Sequence, residues 1–362
     1  MTTRNAQILD LYSDYLIASF GQTTATGMSE LVCHLSHDQI TRFLNGNSLG
    51  DKDLWKIVKV EVRGIESADG VLLIDDTVEA KPYTDESELV SWHYDHSVGR
   101  AVKGVNLVSA LYLSQDVSVP VSLHFVHKTE LSTDPKTGKD HWQSPVTKNK
   151  VFRQMVASAI QRQIVFRYVL ADSWFSSAEN MEFVKKTVKK DFVIPLKSNR
   201  NVFLGDPSEK TGNSVKLESL HFDTDEVKTL WLEKVPFPVL VSRQVFKNEN
   251  GSEGILYLCT SDLTLTASAL SLLYQKRWKV EEYHKSLKSN ASFAKSPTKR
   301  IVSQTNHFFA SVVAFVKMEV CRSSTRLNHF AQKAKLYRAA LATAFAQLQI
   351  LKRSAAQVPI TP

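Results

Sequence analysis

Three acidic positions and a run of cations set the chemical question. Asp76 follows the apolar run Val71-Leu-Leu-Ile as part of Asp75-Asp76-Thr77, and Asp172 follows the β-rich run Ile164–Leu170 as part of Ala171-Asp172-Ser173. An acid just past the C-terminal end of a buried strand stands on the edge of an open α/β sheet where sites collect. The same placement also suits the start of a solvated loop. Farther along, Tyr274, Arg277, Glu281 and Lys288 recur at spacings of +3, +7 and +14. On one continuous helix these fall at roughly 0°, −60°, −20° and −40°, a single stripe spanning roughly 21 Å. A solvated face with an Arg277–Glu281 i,i+4 pair, contributing a few tenths of a kcal/mol, has the same pattern. The chemistry open to such a set is specific. Mg²⁺ binds through carboxylates, water and phosphate oxygens, so three converging acids are a sufficient protein contribution to a phosphoryl-transfer site. Cations beside them would grip phosphates flanking the cut.

The elements that must position these residues are legible in the hydrophobic pattern. Val71–Ile74, Val105–Leu113 and Val117–Val126 predict a three-strand meander. Helical spacing over Asn149–Gln163, a strand over Ile164–Leu170, a helix over Ser176–Lys186 and a strand over Phe192–Leu196 then give the order βββαβαβ, a mixed sheet. Turn clusters between 201 and 262 separate short strand-like runs, a β-rich insertion. Thr266–Lys288 reads as one long helix, with apolar-striped helices over 306–322 and 328–353 behind it. Residues 5–45 carry helical spacing, Ser36 is placed to cap a helix from His37 to Leu44, and Thr24–Leu44 has the outline of a helix-turn-helix.

These residues resemble a known family. Tyr274-x2-Arg277-x3-Glu281-x6-Lys288, within Tyr-Gln-Lys-Arg-Trp-Lys-Val-Glu-Glu-Tyr-His-Lys-Ser-Leu-Lys, is similar to the signature of bacterial insertion-sequence DDE transposases of the "insertion sequence four" group. Asp-Asp76-Thr and Ala-Asp172-Ser resemble its first two acid motifs, and Trp92-His-Tyr-Asp-His96 with Gly99-Arg-x-x-Lys-Gly104 looks like a stretch of some members. The resemblance covers residues 65–325 in motif order. It implies an RNase H-like core with a β-rich insertion before the third acid, flanked by helical N-terminal and C-terminal regions. The implied divisions are 1–65 helical, 66–200 with 263–325 catalytic, 201–262 insertion and 326–362 helical. It also implies a metal-dependent enzyme that cleaves and joins the ends of its own element. Asp76, Asp172 and Glu281 would be catalytic and hold Mg²⁺, for which Mn²⁺ would substitute. Arg277, Lys288 and Tyr274 would contact DNA. A metal-dependent nuclease on the same fold without strand transfer is the alternative. Successive strand side chains point to opposite faces, so only one of Asp75 and Asp76 can be the ligand. The Asp-Thr order of the family favours Asp76.

Composition is compatible with a polyanionic partner. The 362 residues carry 45 Lys plus Arg against 37 Asp plus Glu, a formal charge of +8. Tyr274–Arg300 holds eight cations and two acids, whereas Met1–Gly50 holds two cations and four acids. The longest apolar stretch, Phe308–Val316, is about nine residues where a membrane span needs about 20. With no basic-then-apolar start and three scattered cysteines, a reducing, cytoplasmic setting with no membrane partner is expected, and the resemblance implies a bacterial protein acting at the nucleoid. Weaker signals remain. His93, Asp95 and His96 have loose zinc-ligand spacing, Cys33 among apolar neighbours reads as a core thiol, and Lys185, Lys186, Lys189 and Lys190 cluster at a helix end. Trp231 in the insertion reads as core or as a DNA wedge. Because two element ends must be processed, a homodimer on paired ends of double-stranded DNA is expected. The stripe Leu336, Ala340, Ala344, Leu348 and Leu351 is a candidate interface, and Gln39, Thr41, Arg42 and Asn45 are candidate base readers.

Overall fold

The structure, a computed structural model, describes residues 2–95, 98–135, 137–206, 214–247 and 251–356. In chain order it contains α1 (Thr3–Ala18), α2 (Ala25–Leu31), α3 (His37–Leu44), α4 (Asp51–Ile65), β1 (Val71–Ala80), β2 (Ser91–Asp95), β3 (Arg100–Ser114), β4 (Val117–Phe125), β5 (Glu130–Thr133), β6 (Asp140–Gln143), α5 (Lys148–Gln161) and β7 (Tyr168–Ala171). There follow α6 (Ala178–Glu182), β8 (Asp191–Leu196), β9 (Asn201–Phe203), β10 (Val215–Lys216), β11 (Val227–Leu232), β12 (Pro238–Lys247), β13 (Glu253–Thr260), α7 (Ala267–Gln275), α8 (Trp278–Ser289), α9 (Ile301–Thr325) and α10 (His329–Ala356). They divide between two compact units, Leu49–His284 and Met1–Ser48 with Lys285–Pro362.

The Leu49–His284 unit is built on one mixed sheet. β1 pairs antiparallel with β3 and parallel with β7, β3 pairs antiparallel with β4, and β7 pairs parallel with β8. The order β4-β3-β1-β7-β8, with these directions, is the RNase H-like arrangement that the pattern and the resemblance imply. The uninterrupted apolar run Val71–Ile74 has its cause here. β1 is central and covered on both faces, so alternation with polar residues would bury unpaired groups; all four residues are buried. Pro120 is tolerated in β4, which pairs with β3 alone, because an edge strand needs no donor on its outer side. Gly104 of the Gly99-to-Gly104 motif answers to close packing: a Cβ there would lie 2.1 Å from the Glu79 carbonyl oxygen. The insertion strands continue this same sheet. β13 adds antiparallel to the outer edge of β8, and β12, β11, β9 and β10 follow, giving eleven strands among the described residues.

One expected element is corrected. Thr266–Lys288 is two helices, α7 and α8. Arg277 N–H donates to the Tyr274 carbonyl and Val280 N–H to the Arg277 carbonyl, each at 2.9 Å. These i→i−3 bonds tighten the chain at Lys276–Arg277 and interrupt the regular ladder. The fixed 100° advance per residue therefore does not run through the stripe.

In the other unit, α1 is a core element, with Tyr12 and Leu16 buried. His307 Nε2 faces the Ser292 carbonyl at 3.0 Å and must donate to it, so Nδ1 accepts from the Tyr12 hydroxyl at 3.0 Å. The Ser292 hydroxyl in turn donates to the Leu16 carbonyl. Ser36 caps α3 in a full capping box with Gln39, as the sequence predicts. Cys33 corrects an expectation: it is exposed, because α2 ends at Leu31 and the chain turns outward before Ser36. α10 exposes Leu336, Leu341, Phe345, Leu348 and Leu351. Among the described residues no helix is long and apolar enough to cross a membrane.

Candidate active site

The alternation of β1 sends its two aspartates to opposite faces of the sheet. Asp75 stands opposite Ser109 of β3, whose hydroxyl shares a hydrogen bond with the Tyr283 hydroxyl of α8 at 3.3 Å. On this face Arg277 acts as a bridge. Its Nη1 donates to Asp75 Oδ2 at 3.0 Å and its Nη2 to Glu281 Oε1 at 3.1 Å. The remaining Asp75 oxygen, Oδ1, accepts from the Asp76 N–H at 2.9 Å. Asp76 meets a different set: Lys148 Nζ, at the start of α5, and Asn106 Nδ2, on β3, each lie 2.7 Å from Asp76 Oδ2. Asp172 ends β7, the strand parallel to β1, and its Oδ1 accepts from the Trp174 N–H at 2.9 Å.

The electrostatics tie these groups together. Burial, then the neighbouring Asp172 and Asp76, push the Asp75 carboxyl up to about 8 against the pull of Arg277. Asp172 is also raised, by burial and by Asp76, with Arg277 and the Trp174 N–H opposing. Tyr274, at the end of α7, has its phenol pushed up to about 12, chiefly by burial, and the Arg277 guanidinium lies 5.7 Å from its ring centre. His93 of β2 is buried and bonded to the Ser91 hydroxyl at 3.0 Å. Burial, Lys128 and Lys148 push it down to about 4.

Burial and the neighbouring acids raise Asp75 and Asp172, and carboxylates gathered in this way suit a hard oxygen-seeking cation. Two internal cations, Arg277 and Lys148, hold part of that charge. Among the described residues no three acids, histidines or cysteines are drawn together closely enough to grip an ion outright. The set therefore fits a divalent ion by chemistry and mutual repulsion, in an arrangement neutralised from within. The Arg277–Asp75 contact is the consequential one. Both side chains are largely buried, and leaving one of them without its partner costs about 1–3 kcal/mol. Glu281 is more open, so its share of Arg277 is worth about 0.3–0.5 kcal/mol.

Of the residues singled out by sequence, Asp76, Asp172, Tyr274, Arg277 and Glu281 all lie in the Leu49–His284 unit. Lys288 lies in the last turn of α8, in the other unit. Sequence reasoning missed Lys148, Asn106 and the role of Asp75. Nothing in their spacing relates α5 or β3 to the middle of β1; only strand register and helix packing do. Among the weaker signals, His96 lies outside the described residues. Lys185 pairs with Asp191 at 2.7 Å, while Lys186 and Lys190 sit over Phe237 and Phe166. Trp231 is half-buried in β11, opposite Pro238 and Phe203. Gln39 accepts the Ser36 N–H at 2.9 Å, and Asn45 accepts the Ser303 hydroxyl. Arg42 Nε donates to the Asp38 carbonyl at 3.2 Å, so three of the four candidate base readers make internal bonds, while Thr41 and Arg42 are exposed.

Comparison with known proteins gives one family. A search of curated proteins finds no match. Residues 1–214 match the family described as DDE superfamily endonuclease, a stretch that contains Asp76 and Asp172 and stops before Tyr274, Arg277, Glu281 and Lys288. β1 runs on to Ala80, so Asp76 lies within the strand and not past its end as expected, just beyond the stretch paired with β7, while Asp172 follows β7 directly. An RNase H-like sheet carrying acids at these places accords with that match, and the chain belongs to the DDE superfamily endonuclease family.

Proposed function

We propose that this chain is a DNA transposase of the "insertion sequence four" group, which cleaves and joins the ends of its own element. The observation that supports it most directly is the shared electrostatic neighbourhood of the β1 acids and Asp172, joined through Arg277 to Glu281. In this reading Asp76, Asp172 and Glu281 hold Mg²⁺ or Mn²⁺. A divalent cation bound there supplies charge that activates the attacking oxygen and stabilises the leaving one. Asp76 is preferred to Asp75 as ligand because both Asp75 oxygens are engaged, one by Arg277 and one by the Asp76 N–H, whereas both bonds to Asp76 fall on Oδ2. Arg277 orients Asp75 and Glu281 and offers positive charge to the phosphate. Tyr274 contacts the DNA end, and Lys288 a flanking phosphate. The active species is a homodimer on paired ends, with the exposed apolar side chains of α10 as the interface.

Incubation of the protein with cognate ends, target DNA and Mg²⁺ or Mn²⁺ tests this reading. It expects cleaved ends covalently joined to target, lost in Asp76→Asn and Glu281→Gln. The family's description as endonucleases favours a second reading, cleavage without joining, and that product pattern would select it. For the dimer, Leu341→Ser with Phe345→Ser should lower the sedimenting mass to that of one chain; an unchanged mass places the interface elsewhere.

A further inference from the structure

Away from the acids, the insertion leaves part of the sheet unfinished. β12 pairs with β13 as far as Lys247 opposite Glu253. Its other edge pairs with β11 only from Pro238 to Ser242, because β11 begins at Val227. Among the described residues no strand pairs with Arg243–Lys247 on that side, so alternate N–H and C=O groups there form an open ladder. The chain turns away just before Val227. The Glu226 N–H donates to the Asp223 carbonyl at 3.2 Å, the Asp223 N–H donates to the Glu226 carboxylate at 2.8 Å, and Asp225 takes a φ of 58°. Where a longer β11 would run there is a slot of about 760 Å³. One wall is β12 itself from Ser242 to Phe246, another is the Phe222–Asp225 turn, and the third is the first two turns of α7. Polar and apolar groups share it. Phe246 and Leu272 are 50% and 65% exposed, and the Phe246 ring lies across Gly254, where a Cβ would come within 2.2 Å of it. Ser242 is 1% exposed, yet its hydroxyl has no hydrogen-bond partner. Asp223 and Asp225 stand exposed on the turn.

We propose that this edge docks an extended segment of another protein, which adds a strand to β12 along Arg243–Lys247. The segment places an apolar side chain against Phe246 and Leu272 and a basic residue at the turn that carries Asp223 and Asp225. An open ladder is completed by main-chain hydrogen bonds, and the walls beside it select alternate side chains. A main chain brings both donors and acceptors, which suits a slot that holds carboxylates, hydroxyls and an aromatic ring together. The two carboxylates oppose a nucleic-acid backbone. A second copy of this edge is opposed as well. Antiparallel pairing of the segment with itself about Val245 would set Arg243 of one copy opposite Lys247 of the other, and like charges directly opposite destabilise a strand pair. The docking edge is independent of the acids on β1 and after β7, whatever reaction they perform.

Amide hydrogen exchange of the full wild-type chain tests this without any substitution. The probes are acetylated, amidated heptapeptides of alternating Thr and Val, each with one Lys at a different position. In the free chain alternate amides within 243–247 should exchange fast at every protein concentration, and at least one of the peptides should slow them. N-methylation of alternate nitrogens in that peptide gives two forms. The form methylated on the side that pairs with β12 should bind about 5–150-fold more weakly, and the other should bind like the parent. Asp223→Asn with Asp225→Asn should weaken binding of the Lys peptide about 2–5-fold, while its analogue with Glu in place of Lys should bind the double variant no more weakly than the wild type. Amides that are already slow in the free chain, or that slow with protein concentration alone, overturn the proposal. So do protection by duplex DNA in place of peptide, no protection by any of the peptides, equal binding of both methylated forms, or an unchanged Lys-peptide affinity in the double variant.

Discussion

In the absence of divalent metal, the Leu49–His284 unit should lose stability as pH rises from neutrality, and Asp75→Asn should remove that loss. Asp75 is raised from 3.8 to about 8 in the folded chain. Through that window the folded state holds a proton that the unfolded state has released, so the unfolded state binds fewer protons and stability falls with rising pH. His93 works in the opposite sense, its folded value of about 4 against an ordinary 6.5, but its contribution is complete by 6.5. The clean interval is therefore 6.5 to about 8. One proton across it corresponds to about 1.4 kcal/mol per pH unit, or about 2 kcal/mol in all. For a unit of this size that is a fall of about 4–8 °C in Tm. All six tryptophans lie between residues 49 and 284, so indole fluorescence during urea unfolding reports this unit selectively. Saturating Mn²⁺ should flatten the wild-type slope, because a cation held by the neighbouring acids favours the charged Asp75 carboxylate and displaces its proton. A wild-type stability that is level from 6.5 to 8 in EDTA, or an Asp75→Asn chain with the wild-type slope, would refute the reasoning.

Two further outcomes follow from contacts that the sequence did not announce. Lys148→Met removes the ammonium from Asp76 Oδ2; metal-free stability should fall by about 1–3 kcal/mol, while Mn²⁺ titration should show tighter binding, and unchanged Mn²⁺ affinity would show that Lys148 does not compete for the site. Arg42→Ala and Thr41→Ala should reduce the preference for cognate over random ends if α3 reads DNA, and an unaltered preference in both would remove α3 from recognition. Deleting residues 1–60 cannot serve this purpose, because Tyr12 and Leu16 belong to the core that α1 forms with α9.

The sheet was legible because its strands announce themselves. Val71–Ile74 is apolar without interruption since β1 is covered on both faces, and the βββαβαβ order follows from such runs and the helical spacing between them. The break at Lys276–Arg277 was not legible: no glycine or proline marks it, and only the i→i−3 bonds reveal it. Periodicity carries no information on which face of β1 meets which helix, so the division of Asp75 to Arg277 and Asp76 to Lys148 had to come from register and packing. Lys148 in particular is 72 residues from Asp76 in sequence and belongs to no motif. Gln39 and Asn45 look like DNA readers on a helix surface, yet one closes the α3 capping box and the other receives the Ser303 hydroxyl.

The most direct test of the central claim is the nicking of supercoiled plasmid by purified wild-type and Asp172→Asn protein, with DNA binding measured alongside. The account predicts nicking by the wild-type chain with Mg²⁺ or Mn²⁺ and none in EDTA. It predicts no nicking by Asp172→Asn under any condition, with plasmid binding retained because the cations remain. Nicking that persists in EDTA, or in Asp172→Asn at the wild-type rate, would contradict it.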